Sequence, residues 1–90
     1  MTLLVDEELK EICLEIVAQQ WSEQQWAQSE ADDWFQTERF QGGYDATEKA
    51  FCFSFHASDS GEYWFQISLA EAESIARGEQ PVLTARLAIA

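Results

Sequence analysis

The 90-residue chain has few of the residues on which catalytic and metal sites are usually built. It contains one histidine, His56, and two cysteines, Cys13 and Cys52, which form neither a C-x-x-C pair nor a zinc-finger spacing. Its four glycines form no phosphate-binding loop. A nucleophile triad would require Ser54, His56 and Asp59, a span too short for convergent geometry. We therefore expect a protein that is not an enzyme, with two core thiols and without a metal or a cofactor.

Positive charge is also scarce, because 5 Lys and Arg residues stand against 17 Asp and Glu residues, giving a formal net charge of −12. Binding of duplex or single-stranded nucleic acid relies on Lys and Arg that neutralise phosphates. The five cations are scattered along the sequence, so we do not expect direct binding of nucleic acid. An anionic lipid surface would repel the same charge. The charge instead favours a basic protein as the partner.

Long apolar runs are absent, and nothing approaches the roughly 18 apolar residues of a membrane-spanning helix. Residues 1–8, MTLLVDEE, have neither the basic nor the apolar region of a secretory signal, which predicts a cytoplasmic protein. Hydrophobic residues make up 47% of the chain and aromatic residues 13%, too much for a disordered acidic tail. We expect one folded domain over residues 1–90, too small for a deep substrate cavity.

The first third of the chain has the pattern of an amphipathic helix with Asp6 as its N-cap. The apolar residues that recur at helical spacing are Leu9, Ile12, Cys13, Ile16 and Val17. Trp21 and Trp26 follow at a spacing of five, which does not match one helix face. Either the helix continues and exposes Trp26, or Ser22 and Gln25 form a capping box that restarts the helix at an angle. We favour the break, because it lets both rings reach apolar surface.

The middle of the chain changes to strand patterns at 34–41, 50–57 and 62–67, with turn-forming residues at 42–45 and 58–61. The expected cross-strand apolar pairs are Phe55–Tyr63, Phe53–Phe65 and Phe51–Ile67. Ser68 and Glu71 form a capping box that begins a short helix, Gly78 is placed to end it, and residues 82–89 alternate as a last strand. The predicted fold is α+β: an N-terminal amphipathic helix, a three-stranded antiparallel meander, a short second helix and a C-terminal strand, with the helices packed on one sheet face.

Acidic residues are concentrated in residues 1–38, which contain ten of them against one lysine, a formal charge of −9. On the predicted first helix, Glu7, Glu8, Glu11 and Glu15 share one face. Glu7–Glu11 and Glu11–Glu15 are like-charge pairs that each destabilise a helix by a few tenths of a kcal/mol. A charge run is usually a solvated face that keeps a protein soluble. The like-charge pairs and the size of the net charge favour a functional reason.

Trp64 is the other residue of interest, because the predicted register places it on the sheet face opposite the phenylalanine pairs. One interpretation is that another element or a dimer mate covers it. The other is that it is exposed as an anchor for a partner.

These patterns lead us to expect a non-enzymatic, acidic protein-binding domain that inhibits or regulates a basic, nucleic-acid-acting protein. By analogy of charge and size alone, this would suit an immunity protein against a nuclease toxin, or a phage DNA mimic that inhibits a defence nuclease, such as an anti-CRISPR. The alternative is a small homodimeric structural or assembly protein that associates through the face bearing Trp64. The expected partner-binding residues are Glu7, Glu8, Glu11, Glu15, Trp26, Asp32, Asp33 and Trp64.

Overall fold

The computed structural model describes residues 1–29, 35–58 and 61–88. The described residues form three helices and seven strands, which confirms the predicted α+β class. In chain order the elements are β1 (Thr2–Leu4), α1 (Glu7–Ala18), α2 (Glu23–Ala27), β2 (Phe35–Gln36), β3 (Gln41–Asp45), β4 (Ala50–His56), β5 (Glu62–Ile67), α3 (Leu69–Ala76), β6 (Val82–Thr84) and β7 (Arg86–Leu87). Among them, no helix is long and apolar enough to cross a membrane.

The strands form two sheets, whereas we predicted one. Five strands pair in the order β2-β3-β4-β5-β7, and β1 pairs with β6 in a separate two-stranded sheet. The predicted strand over 34–41 was wrong in extent: its described part is divided between β2 and β3 by a turn. In that turn the Thr37 N–H donates to the Phe40 carbonyl at 2.8 Å. The predicted turn at 42–45 lies within β3, and the chain reverses at 46–49, where Lys49 adopts φ 54°.

The C-terminal segment was predicted as one strand over 82–89. Its described part instead forms two strands, of which β6 pairs with β1 and β7 pairs with β5. Its odd-numbered residues turn their backbone groups towards β1, since the Ala85 N–H donates to the Met1 carbonyl at 2.7 Å. Its even-numbered residues turn towards β5, since the Ala88 N–H donates to the Glu62 carbonyl at 2.8 Å. The three-residue strand β1, which we did not predict, is therefore held by this long-range pairing.

The helix boundaries follow local hydrogen bonds that the sequence indicates. Asp6 caps α1 by accepting the Leu9 N–H at 3.0 Å. The predicted break is confirmed, because the Ser22 hydroxyl and the Gln25 side chain form a capping box that starts α2. The capping box at Ser68 also forms, and Gly78 follows α3 with φ 75°. Each helix therefore begins with a side chain that satisfies free backbone donors.

The core lies between the helices and one face of the larger sheet. The predicted register is confirmed, with Phe51 opposite Ile67, Phe53 opposite Phe65 and Phe55 opposite Tyr63. α1 packs against α3, and the buried residues of both join the phenylalanine side chains in one cluster. Leu3 and Leu83 of the small sheet complete that cluster. Val17, predicted to be buried, lies at the margin of α1 and is 36% exposed.

Candidate binding surface

The outer side of α1 carries a row of carboxylates, Glu7, Glu11 and Glu15, which we call the acidic ridge. All three are exposed, and at about 100° per residue they lie away from the buried residues of the same helix. Leu14 lies beside the ridge and is 46% exposed. Within the described part of the chain, neither of the two ion pairs includes a ridge carboxylate. The ridge is therefore open to a partner of opposite charge.

Glu8, which we also predicted to bind a partner, has an internal role. Its carboxylate accepts the Arg39 N–H at 2.9 Å. A hydrogen bond from the Thr37 hydroxyl lowers the pKa of Glu8; partial burial opposes this, and the backbone N–H and the charge of Arg39 lower it further. The Arg39 guanidinium pairs with the Asp6 carboxylate. These contacts fasten the β2–β3 turn to the start of α1, so Glu8 does not belong to the open ridge.

The cations closest to the ridge in sequence are directed elsewhere. Arg39 bonds Asp6, and its guanidinium carbon lies 4.9 Å from the centre of the Phe40 ring. Lys10 lies on the side of α1 towards α3, with its Nζ 4.0 Å from the position that a Cβ at Gly78 would occupy. The ridge therefore keeps its negative charge although two cations lie near its helix.

Trp26 was predicted as a surface anchor, and the structure places it in the core, where it is 2% exposed. Its ring centre lies 4.6 Å from that of Trp21 and 5.0 Å from that of Phe51. The physical reason is the break at Ser22, which turns α2 so that Trp26 faces the sheet. Its indole N–H is buried without a hydrogen-bond partner among the described residues. Trp26 is therefore unavailable to a partner.

Trp64 lies on the sheet face opposite the helices, as predicted, and is half-buried. The guanidinium carbon of Arg86 lies over its ring, 5.7 Å from the ring centre. Beside it, where β5 and β6 do not pair, lies a cleft of about 370 Å³ that Gln66 and Gln80 also line. Trp64 and the acidic ridge consequently lie on opposite faces of the protein. The remaining candidates, Asp32 and Asp33, lie outside the described residues.

Comparisons with protein-family models, with curated proteins and with solved structures find no match for this chain. The assignment of a site therefore rests on the geometry. In the described ranges, no group of three or more His, Cys, Asp or Glu side chains is placed to hold a metal ion. Burial raises the pKa of the Cys13 thiol to about 12, and mainly burial raises that of Cys52, so both are protonated at neutral pH. The acidic ridge is the strongest candidate that remains.

The sequence did not indicate two features of the protein's surface. One is the contact of Arg39 with Asp6 and Glu8, which joins residues more than 30 positions apart and leaves no local pattern. The other is the pair Leu4 and Val82, which are exposed next to each other across β1 and β6. Only the pairing of distant strands brings these two together.

Proposed function

We propose that this chain is a non-enzymatic, acidic binding domain whose ridge docks on a basic surface of a nucleic-acid-acting protein and thereby inhibits or regulates it. The observation that carries the proposal is the row of exposed carboxylates at Glu7, Glu11 and Glu15, none of which is in an ion pair within the described residues. Like-charge neighbours destabilise their own helix, and a partner of opposite charge would relieve that repulsion on binding.

The dimensions of the ridge suit a surface that normally receives nucleic acid. Eight residues of helix at 1.5 Å each separate Glu7 from Glu15 by about 12 Å. Phosphates rise about 3.4 Å apart along one DNA strand, so a groove of that length faces three or four of them. A groove that presents Lys and Arg to phosphates is therefore able to receive three carboxylates. Leu14 adds an apolar contact beside the charges.

An immunity protein against a nuclease toxin and a phage inhibitor of a defence nuclease would both use such a surface. Free thiols are typical of a reducing compartment, and Cys13 and Cys52 are both unpaired here. A cytoplasmic site of action therefore belongs to the proposal. Complementary charge would speed association and make affinity depend on salt.

A comparison of two variants with equal charge tests the proposal. The ridge variant is Glu7→Gln, Glu11→Gln, Glu15→Gln, and the control is Glu48→Gln, Glu73→Gln, Glu79→Gln, which removes three exposed carboxylates elsewhere. The native chain and both variants are used at low salt to capture proteins from a lysate of the source organism, with salt elution and mass spectrometry.

We expect the native chain and the control to recover the same basic, nucleic-acid-acting protein, and the ridge variant to lose it. The nucleic acid of that protein should compete with the chain for binding. Equal recovery by the ridge variant, or capture that salt does not reverse, would contradict a charge-driven role for the ridge.

A further inference from the structure

The face of the two sheets that carries no helix, which we call the open sheet face, carries the exposed apolar side chains of Leu4 and Val82 near the half-buried Trp64. Arg86 lies opposite Trp64 in the register, so both side chains point to this face. Val82 and Thr84 share it because they alternate with Leu83 and Ala85, which are buried in the core. Leu4, paired with Val82, is 72% exposed and Val82 is 42% exposed.

Charge is sparse on this face compared with the helical side. Among its described strand positions, the charged residues are Asp45, Glu62 and Arg86, whereas α1 alone carries four glutamates. Two copies of a chain with a formal net charge of −12 repel each other strongly. They approach at lower cost through a surface with few carboxylates, and the described strand positions of the open sheet face carry two.

The size of the face is adequate for a stable contact. The molecule measures 36 × 26 × 21 Å, and the broad side of a two-layer fold of these dimensions has a projected area of about 700 Å². A standard interface buries about 600–1,000 Å² on each partner, so the contact would occupy most of this face. Trp64 lies on β5, which has strands on both sides, so the aromatic side chain lies well inside the face, where interface anchors are usually found.

We propose that the open sheet face is the contact between two copies of this chain, related by a two-fold axis. In such a contact the same patch serves both copies, so Trp64 and the pair Leu4–Val82 of one copy pack on the corresponding residues of the other. The helices then lie on the two outer sides of the dimer. Each dimer displays two acidic ridges, which gives it avidity for a partner with two basic sites.

Sedimentation velocity of the full chain tests the dimer directly, over protein concentrations of about 1 to 100 µM. The measurements compare about 0.1 M and 1 M NaCl, where the Debye length falls from about 10 to 3 Å. We expect a dimer that salt leaves unchanged or strengthens, because salt screens the repulsion between the chains. Binding through the acidic ridge responds to salt in the opposite direction, so the two proposals are distinguished.

The decisive variant is Val82→Glu, which places a carboxylate at the apolar contact and should weaken the dimer by about 100-fold or more. Leu14→Glu is the matched control, because it makes the same kind of change at a similarly exposed residue on the helical side and should leave the dimer intact. Leu4→Glu, at the more exposed partner of Val82, should reproduce the effect if Val82→Glu does not fold. A monomer throughout the concentration range, or equal weakening by Leu14→Glu, would overturn the proposal.

Discussion

Neutralising the centre of the acidic ridge should make the protein more stable. Glu11 lies four residues after Glu7 and four before Glu15, so the single change Glu11→Gln removes two like-charge pairs from α1. All three side chains are exposed, and no ion pair among the described residues compensates their repulsion. Gln and Glu have nearly equal helix propensity, so the substitution changes the charge and little else.

The size of the effect follows from the pairs removed. Each like-charge pair at i, i+4 destabilises a helix by about 0.2–0.5 kcal/mol, so Glu11→Gln should raise the free energy of unfolding by about 0.4–1 kcal/mol. For a domain of this size, 1 kcal/mol corresponds to about 4–8 °C in Tm. We therefore expect Tm to rise by about 2–8 °C at low salt. The gain should shrink at about 1 M NaCl, where charges on the surface are screened.

The change in Tm is measured by thermal unfolding monitored with circular dichroism, and Glu73→Gln is the matched control. Glu73 is an exposed glutamate on α3 with Leu69 at i−4 and Arg77 at i+4, and Arg77 pairs with Glu79, so its substitution removes no like-charge pair at i±4. The two variants change charge equally, but only Glu11→Gln should raise Tm at low salt. If Glu11→Gln lowers Tm, or raises it equally at high salt, the ridge is not a site of electrostatic repulsion and our reasoning fails.

Two further predictions concern the scaffold that positions the ridge. At Gly42 a Cβ would lie 1.9 Å from the Cys52 carbonyl oxygen, so Gly42→Ala should separate β3 from β4 and destabilise the fold by about 3 kcal/mol or more in urea unfolding. Gly78→Ala is strained by its φ of 75°, but its Cβ meets only the Lys10 Nζ at 4.0 Å, an ordinary contact, so it should cost about 1 kcal/mol, and equal costs would contradict the steric argument. The fold lowers the pKa of Glu8 below its ordinary value of 4.5. The charged carboxylate therefore stabilises the fold above about pH 4.5, and this stabilisation is lost as the pH falls through the lowered pKa. Glu8→Gln should therefore lower Tm at pH 7 and lose this effect once the pH is below the lowered pKa; a pH-independent difference would exclude the contact with Thr37 and Arg39 as its cause.

Features that depend on neighbouring residues were predictable from the sequence. The caps at Asp6, Ser22 and Ser68 form because each side chain reaches the backbone donor three residues away. The register of β4 with β5 follows from alternation along two strands joined by a short turn. The carboxylates of α1 share a face because the helix repeats every 3.6 residues. The α+β class, this register and the acidic ridge were therefore determined locally.

The tertiary structure decided the features that depend on contacts between distant residues. Trp26 is buried because α2 packs it onto the sheet; the local capping box at Ser22 indicates the break in the helix, but which surface the ring then meets depends on β3 and β4. Glu8 differs from Glu11 because Arg39, which arrives on the β2–β3 turn, bonds its carboxylate. The pairing of β1 with β6 joins the two ends of the chain and exposes Leu4 beside Val82. Periodicity assigns a residue to one face of its own element, whereas packing of the elements decides whether that face meets water, the core or another side chain.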